Sequence, residues 1–182
     1  RPGRVLPHTL VARLALDLGY ALHYAHGPAH GVVHRDVSPA NVMLSRTGEI
    51  KLTDFGVARV MSNAAPTTST GVRGKIAYMA PEQIRGEELD GRADLFALGV
   101  LLFECLCGQR PFQGAHDVET MRRIAEGERP HVRELAPEDT PPALLSAIEG
   151  LLSVDRASRT PSAEALIEQL ALLPGLHQAR RR

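Results

Sequence analysis

The chain has 182 residues, of which 43% are hydrophobic and 23% are charged, and this predicts one soluble, globular domain with a substantial core. The 21 basic side chains balance the 21 acidic ones, so no overall field favours binding to nucleic acid or to an anionic membrane. The longest apolar run, 95–103, is about half the length that crosses a bilayer. No export signal opens the sequence, so we expect a cytoplasmic protein without a membrane segment.

A long amphipathic helix is predicted first, from Pro7 to about Ala29. Its apolar positions recur with gaps of four, three, four and three residues, which is one face of a helix. Pro7 suits the first turn, where an N–H group would have no partner. The positions on this face are Val11, Ala15, Leu18, Leu22 and Ala25.

Short strand-like runs follow at 32–33, 42–44 and 50–52. The last two are separated by a turn that contains Gly48, so they predict a β-hairpin. Residues 57–79 are polar and weakly patterned, which predicts a mobile loop without a packed element of its own.

The most apolar helix is predicted at 93–107, with Asp90 as its N-cap and Gly108 as its stop signal. Three shorter helices should follow it, two of them opening at threonine–proline pairs. We therefore predict a fold that is mainly α with a small β-hairpin region. The shorter helices are expected at about 116–126, 141–152 and 161–173.

Cys105 and Cys107 are the two cysteines of the chain. They lie two positions apart on the apolar helix, where side chains do not face each other, so they cannot form a local disulfide. No partner stands at metal-binding spacing nearby. We interpret them as buried free thiols.

Three motifs stand in order along the chain, with the predicted hairpin between the first and the second. Each motif alone could be an ordinary polar turn. Together they resemble the signature of bacterial eukaryotic-like Ser/Thr protein kinases. They are H-R-D-V-S-P-A-N at 34–41, D-F-G at 54–56 and A-P-E at 80–82.

The resemblance covers nearly the whole chain but only part of a kinase. The 33 residues before His34 contain neither a Gly-rich phosphate loop nor a strand lysine. The chain therefore resembles the C-terminal lobe of a kinase without its N-terminal lobe, and we expect it to bind ATP poorly and to be inactive alone. On this interpretation 1–182 is a partial kinase domain, with its catalytic loop at 34–41, its activation segment at 54–82 and a basic tail at about 174–182.

The resemblance implies a site that transfers the terminal phosphate of ATP with Mg²⁺ as cofactor. Asp36 corresponds to the catalytic carboxylate. Asn41 and Asp54 correspond to the magnesium ligands, and Met43 corresponds to the apolar floor under the adenine. One carboxylate and one amide suit magnesium, because this hard cation prefers oxygen ligands and keeps several waters.

Five further residues have structural roles in the family. His34 and Phe55 correspond to members of a hydrophobic column, and Asp94 corresponds to the aspartate that anchors it. Glu82 and Arg159 correspond to a buried ion pair. Removing one partner of such a pair typically lowers the free energy of unfolding by about 3–5 kcal/mol.

Regulation by phosphorylation is also implied, because an arginine precedes the catalytic aspartate. In such kinases Arg35 would clasp a phosphate on the activation loop, and Arg59 matches a second basic partner. The candidate acceptors are Thr67, Thr68, Ser69 and Thr70.

Two positions depart from the family pattern. Ser38 stands where a lysine usually follows the catalytic aspartate, and Lys75 stands where a threonine usually precedes A-P-E. The two altered positions face each other in the family. We hypothesise that Lys75 places its ammonium where the missing lysine would be, and that Ser38 takes the part of the threonine hydroxyl. Alternatively, Lys75 is solvated and the enzyme is impaired.

Three functions compete on the sequence alone. The first is a Ser/Thr protein kinase lobe that acts on protein substrates and needs the missing kinase N-lobe as a partner. The second is a non-catalytic remnant that serves as a protein-interaction module. The third is a small-molecule phosphotransferase, which A-P-E and Arg159 argue against. We favour the first, because a scaffold has no physical need of Asp36, Asn41 and Asp54 together.

Overall fold

The computed structural model describes residues 5–55 and 74–173. Within these ranges the chain forms seven α-helices, two short 3₁₀ helices and a two-stranded antiparallel sheet, which confirms the predicted fold class. No helix in the described ranges is both long and apolar enough to span a bilayer. The helices are α1 His8–His26, α2 Pro81–Arg85, α3 Gly91–Cys107, α4 Asp117–Glu126, α5 Val132–Leu135, α6 Pro142–Leu151 and α7 Ala163–Leu170. The strands are β1 Val42–Leu44 and β2 Ile50–Leu52, and the 3₁₀ helices are Pro39–Asn41 and Ile76–Tyr78.

Helix α1 buries the face that the sequence predicts. It starts at His8, and Pro7 is its N-cap rather than a first-turn residue. It ends at His26, because the backbone of Gly27 is extended and its N–H bonds back to the carbonyl of His23 at 3.0 Å. The five predicted apolar positions are all buried, and the helix packs on α3 and α7.

Helix α3 is the centre of the core and is buried on nearly all sides. Its N-terminus is capped by Asp90, whose carboxylate accepts the backbone N–H of Arg92 at 2.9 Å, and Gly108 ends it with a φ of 69°. A Cβ atom on Gly99 would lie 2.8 Å from the Cβ of Leu151, so glycine permits the close approach of α3 and α6. The prediction of a central apolar helix with these two end signals is confirmed.

The β-hairpin determines where Asn41 and Asp54, the two predicted magnesium ligands, lie relative to each other. Val42 pairs with Leu52, and beyond this pair the N–H of Thr53 donates to the carbonyl of Asn41 at 2.9 Å. Asn41, just before β1, and Asp54, just after β2, therefore lie at the same end of the hairpin. The hairpin packs against α1 through β2.

Two predictions of local structure are wrong. Val32 and Val33 form no strand, because the run is too short to pair and the N–H of Val32 bonds instead to the carbonyl of Ala25 at 2.8 Å. The described end of the predicted mobile loop is packed, since Ile76 and Tyr78 are buried in a 3₁₀ helix that lies against α3 and α4. Tertiary contacts fix this segment, and a local pattern does not reveal them.

Candidate active site

Asp94 anchors the loop that carries the H-R-D motif. Its side chain is 1% exposed and lies in the first turn of α3. The backbone N–H groups of His34 and Arg35 each donate to its carboxylate at 2.7 Å, and Nε2 of His26 lies 2.8 Å from Oδ2. Three partners satisfy a carboxylate that would otherwise be costly to bury. The loop is thereby fixed to the central helix.

Arg35 has a left-handed backbone, with φ at 66°. Its carbonyl accepts a hydrogen bond from Nε2 of Gln83 at 3.1 Å, and Oε1 of Gln83 accepts the N–H of Ala80 at 2.9 Å. Gln83 therefore joins the H-R-D loop to the start of α2. Sequence reasoning did not identify this residue.

His34 joins the same loop to the segment after β2. It is fully buried, and its Nδ1 accepts the N–H of Asp36 at 3.2 Å. Its Nε2 must then carry the hydrogen that is donated to the carbonyl of Thr53, 2.9 Å away. The ring also packs on Phe55, with 4.6 Å between ring centroids. The two predicted column residues are therefore in contact.

Asn41 and Asp54 carry oxygen atoms of the kind that magnesium prefers. The amide nitrogen of Asn41 donates to the carbonyl of Asp36 at 2.7 Å, which leaves the amide oxygen available. Asp54 is exposed just beyond β2 and has a φ of 57°. One amide and one carboxylate at the same end of a hairpin fit a hard divalent cation that takes its other ligands from phosphates and water. No cluster of three or more His, Cys, Asp or Glu side chains that could hold a metal occurs in the described ranges.

Lys75 and Asp36 form an ion pair at the surface of the site. The ammonium of Lys75 hydrogen-bonds to Oδ2 of Asp36, and the two side chains are 43% and 21% exposed. Ser38 is only 4% exposed, and its hydroxyl has no hydrogen-bond partner in the described part of the chain. The structure thus brings Lys75 to the predicted catalytic carboxylate, but it does not bring the Ser38 hydroxyl to either of them.

Glu82 and Arg159 form a buried ion pair. Nη1 and Nη2 of Arg159 lie 2.6 and 3.0 Å from the two carboxylate oxygens of Glu82. The guanidinium also donates to the backbone carbonyls of Ser153 and Arg92, both at 2.9 Å, and lies over the ring of Phe96. The pair ties α2 to the loop that precedes α7.

A second polar cluster, which the sequence did not predict, holds the segment between Lys75 and α2. The hydroxyl of Tyr78 donates to the carboxylate of Glu104, and Arg110 lies 3.3 Å from the other oxygen of that carboxylate. The Arg110 guanidinium also lies 5.2 Å from the centroid of the Tyr78 ring. Burial, followed by the hydrogen bond to Glu104, raises the pKa of Tyr78 above its usual value, so Tyr78 acts as a donor here.

The remaining predicted residues lie at the surface or outside the described ranges. Met43 is 57% exposed on β1, next to the exposed Leu44. The guanidinium of Arg35 forms no ion pair within residues 5–55 and 74–173. The predicted regulatory residues Arg59, Thr67, Thr68, Ser69 and Thr70 lie outside the described residues.

Comparison with known proteins agrees with this arrangement of motifs. The family model described as the protein kinase domain matches residues 2–170. The chain belongs to the protein kinase family.

The chain is also similar to several bacterial kinases. It is 40% identical over 176 residues to the tyrosine-protein kinase MasK of Myxococcus xanthus, which covers 93% of this chain and 27% of that protein. It is 39% identical over 168 residues to the serine/threonine-protein kinase PknA of Mycobacterium tuberculosis, covering 89% of this chain and 37% of the relative. It is 34% identical over 151 residues to the probable serine/threonine-protein kinase PknB of Lactococcus lactis, covering 83% and 24%. The chain thus spans well under half the length of these relatives.

Proposed function

We propose that this chain is the catalytic lobe of a kinase that transfers the terminal phosphoryl group of ATP to serine and threonine hydroxyl groups of protein substrates, and that the chain is inactive without an N-terminal lobe. The observation that carries the proposal is the way Asp36 is held. The two residues before it are bonded to Asp94 through their backbone amides, and its own carbonyl accepts from Asn41. A carboxylate fixed in this way, with part of its surface open, can receive a hydroxyl proton without first changing position.

The reaction requires one bond to form and one to break at the γ-phosphorus. The substrate hydroxyl oxygen bonds to the γ-phosphorus, while the bond from that phosphorus to the β–γ bridging oxygen breaks. ADP leaves with the electron pair of the broken bond, and the hydroxyl proton passes to Asp36. Asp36 also orients the hydroxyl so that attack and departure are in line.

Asn41 and Asp54 would hold Mg²⁺ against the phosphates. The bound ion would neutralise negative charge on the phosphate oxygens. Asn41 has a double role in this proposal, because its amide nitrogen fixes the carbonyl of Asp36 and its amide oxygen remains for the metal. The side chains therefore couple metal binding to the position of the catalytic carboxylate.

We further propose that a kinase N-lobe, carried elsewhere in the protein, covers the exposed face of the hairpin. Met43 would form the floor under the adenine, and it is exposed together with Leu44, at 57% and 72%. Such an apolar surface beside the site suits burial by a second lobe. The 182-residue chain alone would then bind ATP weakly.

Control by phosphorylation is a further part of the proposal. The backbone of Arg35 is held by Asp94 and Gln83, so its side chain starts from a fixed point next to the segment that precedes α2. With Arg59 it would clasp a phosphate and so order the activation segment. The candidate acceptors are Thr67, Thr68, Ser69 and Thr70.

Transfer of labelled γ-phosphate from ATP, measured with the full-length protein that contains this chain, tests the proposal. We expect Mg²⁺-dependent labelling of serine and threonine, and we expect Asp36→Asn to lower the rate at least ~100-fold. The matched control is Asp139→Asn, since Asp139 is exposed and its contact is a 3.5 Å pair with His8. That variant should transfer phosphate at the wild-type rate.

Each other outcome has a defined meaning. Undiminished transfer by Asp36→Asn would contradict the role of this carboxylate. If phosphotyrosine were the sole product, the acceptor would be tyrosine rather than serine or threonine. Tyrosine is the acceptor named for the Myxococcus relative. No transfer by the wild-type protein would favour the interaction module. Mapping that finds no phosphate between Ser62 and Thr70 in active protein would remove the regulatory part of the proposal.

A further inference from the structure

Lys75 is presented to the site by a well-anchored piece of backbone. The two residues that follow it in the 3₁₀ helix, Ile76 and Ala77, are buried, and so is Tyr78. Tyr78 is in addition bonded to Glu104. The Lys75 side chain reaches the carboxylate of Asp36. Its position is therefore set by the core rather than by chance contact on a free loop.

The use of lysine at this position is unusual for the chain. Only two of the 21 basic side chains are lysines, Lys51 and Lys75. If histidine is set aside, all the remaining ion pairs in the described ranges use arginine as the cation. These pairs include buried and exposed ones. Lysine differs from arginine in having a compact point charge on a flexible stem, which can follow a moving group. The side chain paired with Asp36 is therefore of the type that could stay in contact with a group that changes position.

The positive charge that lies against the Asp36 carboxylate comes from Lys75. Lys75 is the ion-pair partner of Asp36 in the described ranges, and Asp94 below is satisfied by His26 and two backbone amides. Ser38, two residues after Asp36, is uncharged and its buried hydroxyl has no partner within those ranges. Arg35 lines the same small pocket, but its guanidinium forms no ion pair with Asp36 in the described ranges.

We propose that Lys75 is a catalytic residue of the phosphoryl transfer proposed above, on which this inference rests. Its ammonium bridges the carboxylate of Asp36 and the oxygens of the γ-phosphoryl group as that group moves from ADP to the substrate hydroxyl. It keeps its three protons and forms no covalent bond. It donates hydrogen bonds to oxygens whose negative charge must be stabilised during transfer.

Steady-state kinetics of the full-length protein test this assignment. We expect Lys75→Met to lower kcat about 10²–10³-fold, the usual effect of removing one such donor, with little change in the KM of the protein substrate. Lys75→Arg keeps the charge but not the compact ammonium, so it should recover only a small part of the loss. Arg13→Met is the matched control, because Arg13 forms a partly exposed pair with Asp17 at 2.7 Å on α1 and should leave kcat unchanged.

A second measurement separates contact with the phosphate from a merely structural role. Sulfur accepts hydrogen bonds poorly, so the ratio of kcat with ATP to kcat with the γ-thio analogue should fall several-fold when the donor is removed. A structural role would lower both rates equally and leave the ratio unchanged. Lys75→Leu, which also removes the donor, provides the same comparison if Lys75→Met does not fold.

The outcomes distinguish this inference from the function on which it rests. A wild-type protein that transfers phosphate and depends on Asp36, but tolerates Lys75→Met within threefold of its kcat, would overturn the role of Lys75 alone. An unchanged thio ratio with reduced kcat would reduce Lys75 to a positioning residue and would also overturn it. Absence of transfer by the wild type would overturn both proposals.

Discussion

Arg35 and Asp54 are the two non-glycine residues with positive φ in the described ranges. Such backbone conformations typically cost about 1–3 kcal/mol each and persist only where their surroundings hold them. Arg35 is held by Asp94 on one side and Gln83 on the other, while Asp54 follows Thr53, whose carbonyl accepts from His34. The strained backbone at these two motif residues is therefore maintained by the hydrogen bonds around the candidate site.

The motifs in the sequence could identify the residues that carry charge in the site, but not all of their partners. Asp94 and the pair of Glu82 with Arg159 could be assigned by resemblance. His26 and Gln83 could not, because neither belongs to the motifs that carry the resemblance and nothing in the sequence indicates their partners, which lie 68 and 48 residues away. Long-range hydrogen bonds of this kind leave no periodicity in a sequence.

Cys105 and Cys107 are both free, as predicted, but they are half-buried rather than buried. Burial, followed by the nearby charges of Glu104 and Glu149, raises the pKa of each thiol to about 11. The folded chain therefore holds these protons more tightly than the unfolded chain does. This contribution to stability is complete below the unfolded pKa of about 8.5 and is lost as the pH rises through the folded value.

We expect both thiols to react slowly with iodoacetamide at neutral pH. The rate for the folded protein should keep rising with pH up to about 11, whereas in denaturant it should level off near pH 9. Mass spectrometry of the two alkylated positions measures each rate. A plateau below pH 9 in the folded protein would contradict the raised pKa values.

The length of each helix decided whether the sequence could predict it. The long helices α1 and α3 were predictable because their apolar spacing and end signals extend over several turns. The short helices α2 and α5 were missed, since four or five residues carry no periodicity and depend on tertiary contacts. The last helix was predicted too long, because Ser162 rather than Thr160 caps α7, by accepting the N–H of Ala165 at 3.1 Å.

The ion pair of Glu82 and Arg159 joins two elements that are otherwise far apart in the chain. We expect Glu82→Ala to lower the free energy of unfolding by about 3–5 kcal/mol, because it leaves a buried guanidinium without its counter-charge. Urea denaturation of the full-length protein, followed by hydrogen exchange in this region, measures the loss. The control is Glu128→Ala, which removes an exposed partner of Arg122 and should change stability little. Equal losses in the two variants would contradict a structural role for the buried pair.

At the scale of the whole molecule, one end of the helical core supports the proposed site. The central helix α3 supplies Asp94, which fixes the H-R-D loop, and the hairpin brings Asn41 and Asp54 to the same end. The fold class and the order of the motifs could be predicted from the sequence. The joining of these segments could not, because it depends on contacts between residues distant in the chain.

Binding of Mn²⁺, measured by the loss of its free-ion paramagnetic resonance signal, tests whether Asp54 helps to form a site for a divalent cation. Mn²⁺ takes the place of Mg²⁺ at sites built from carboxylate and amide oxygens. In the full-length protein with a non-hydrolysable ATP analogue, we predict that Asp54→Asn weakens Mn²⁺ binding at least ~10-fold, while Asp139→Asn leaves it unchanged. Equal Mn²⁺ affinity in the wild type and Asp54→Asn would contradict the proposed site.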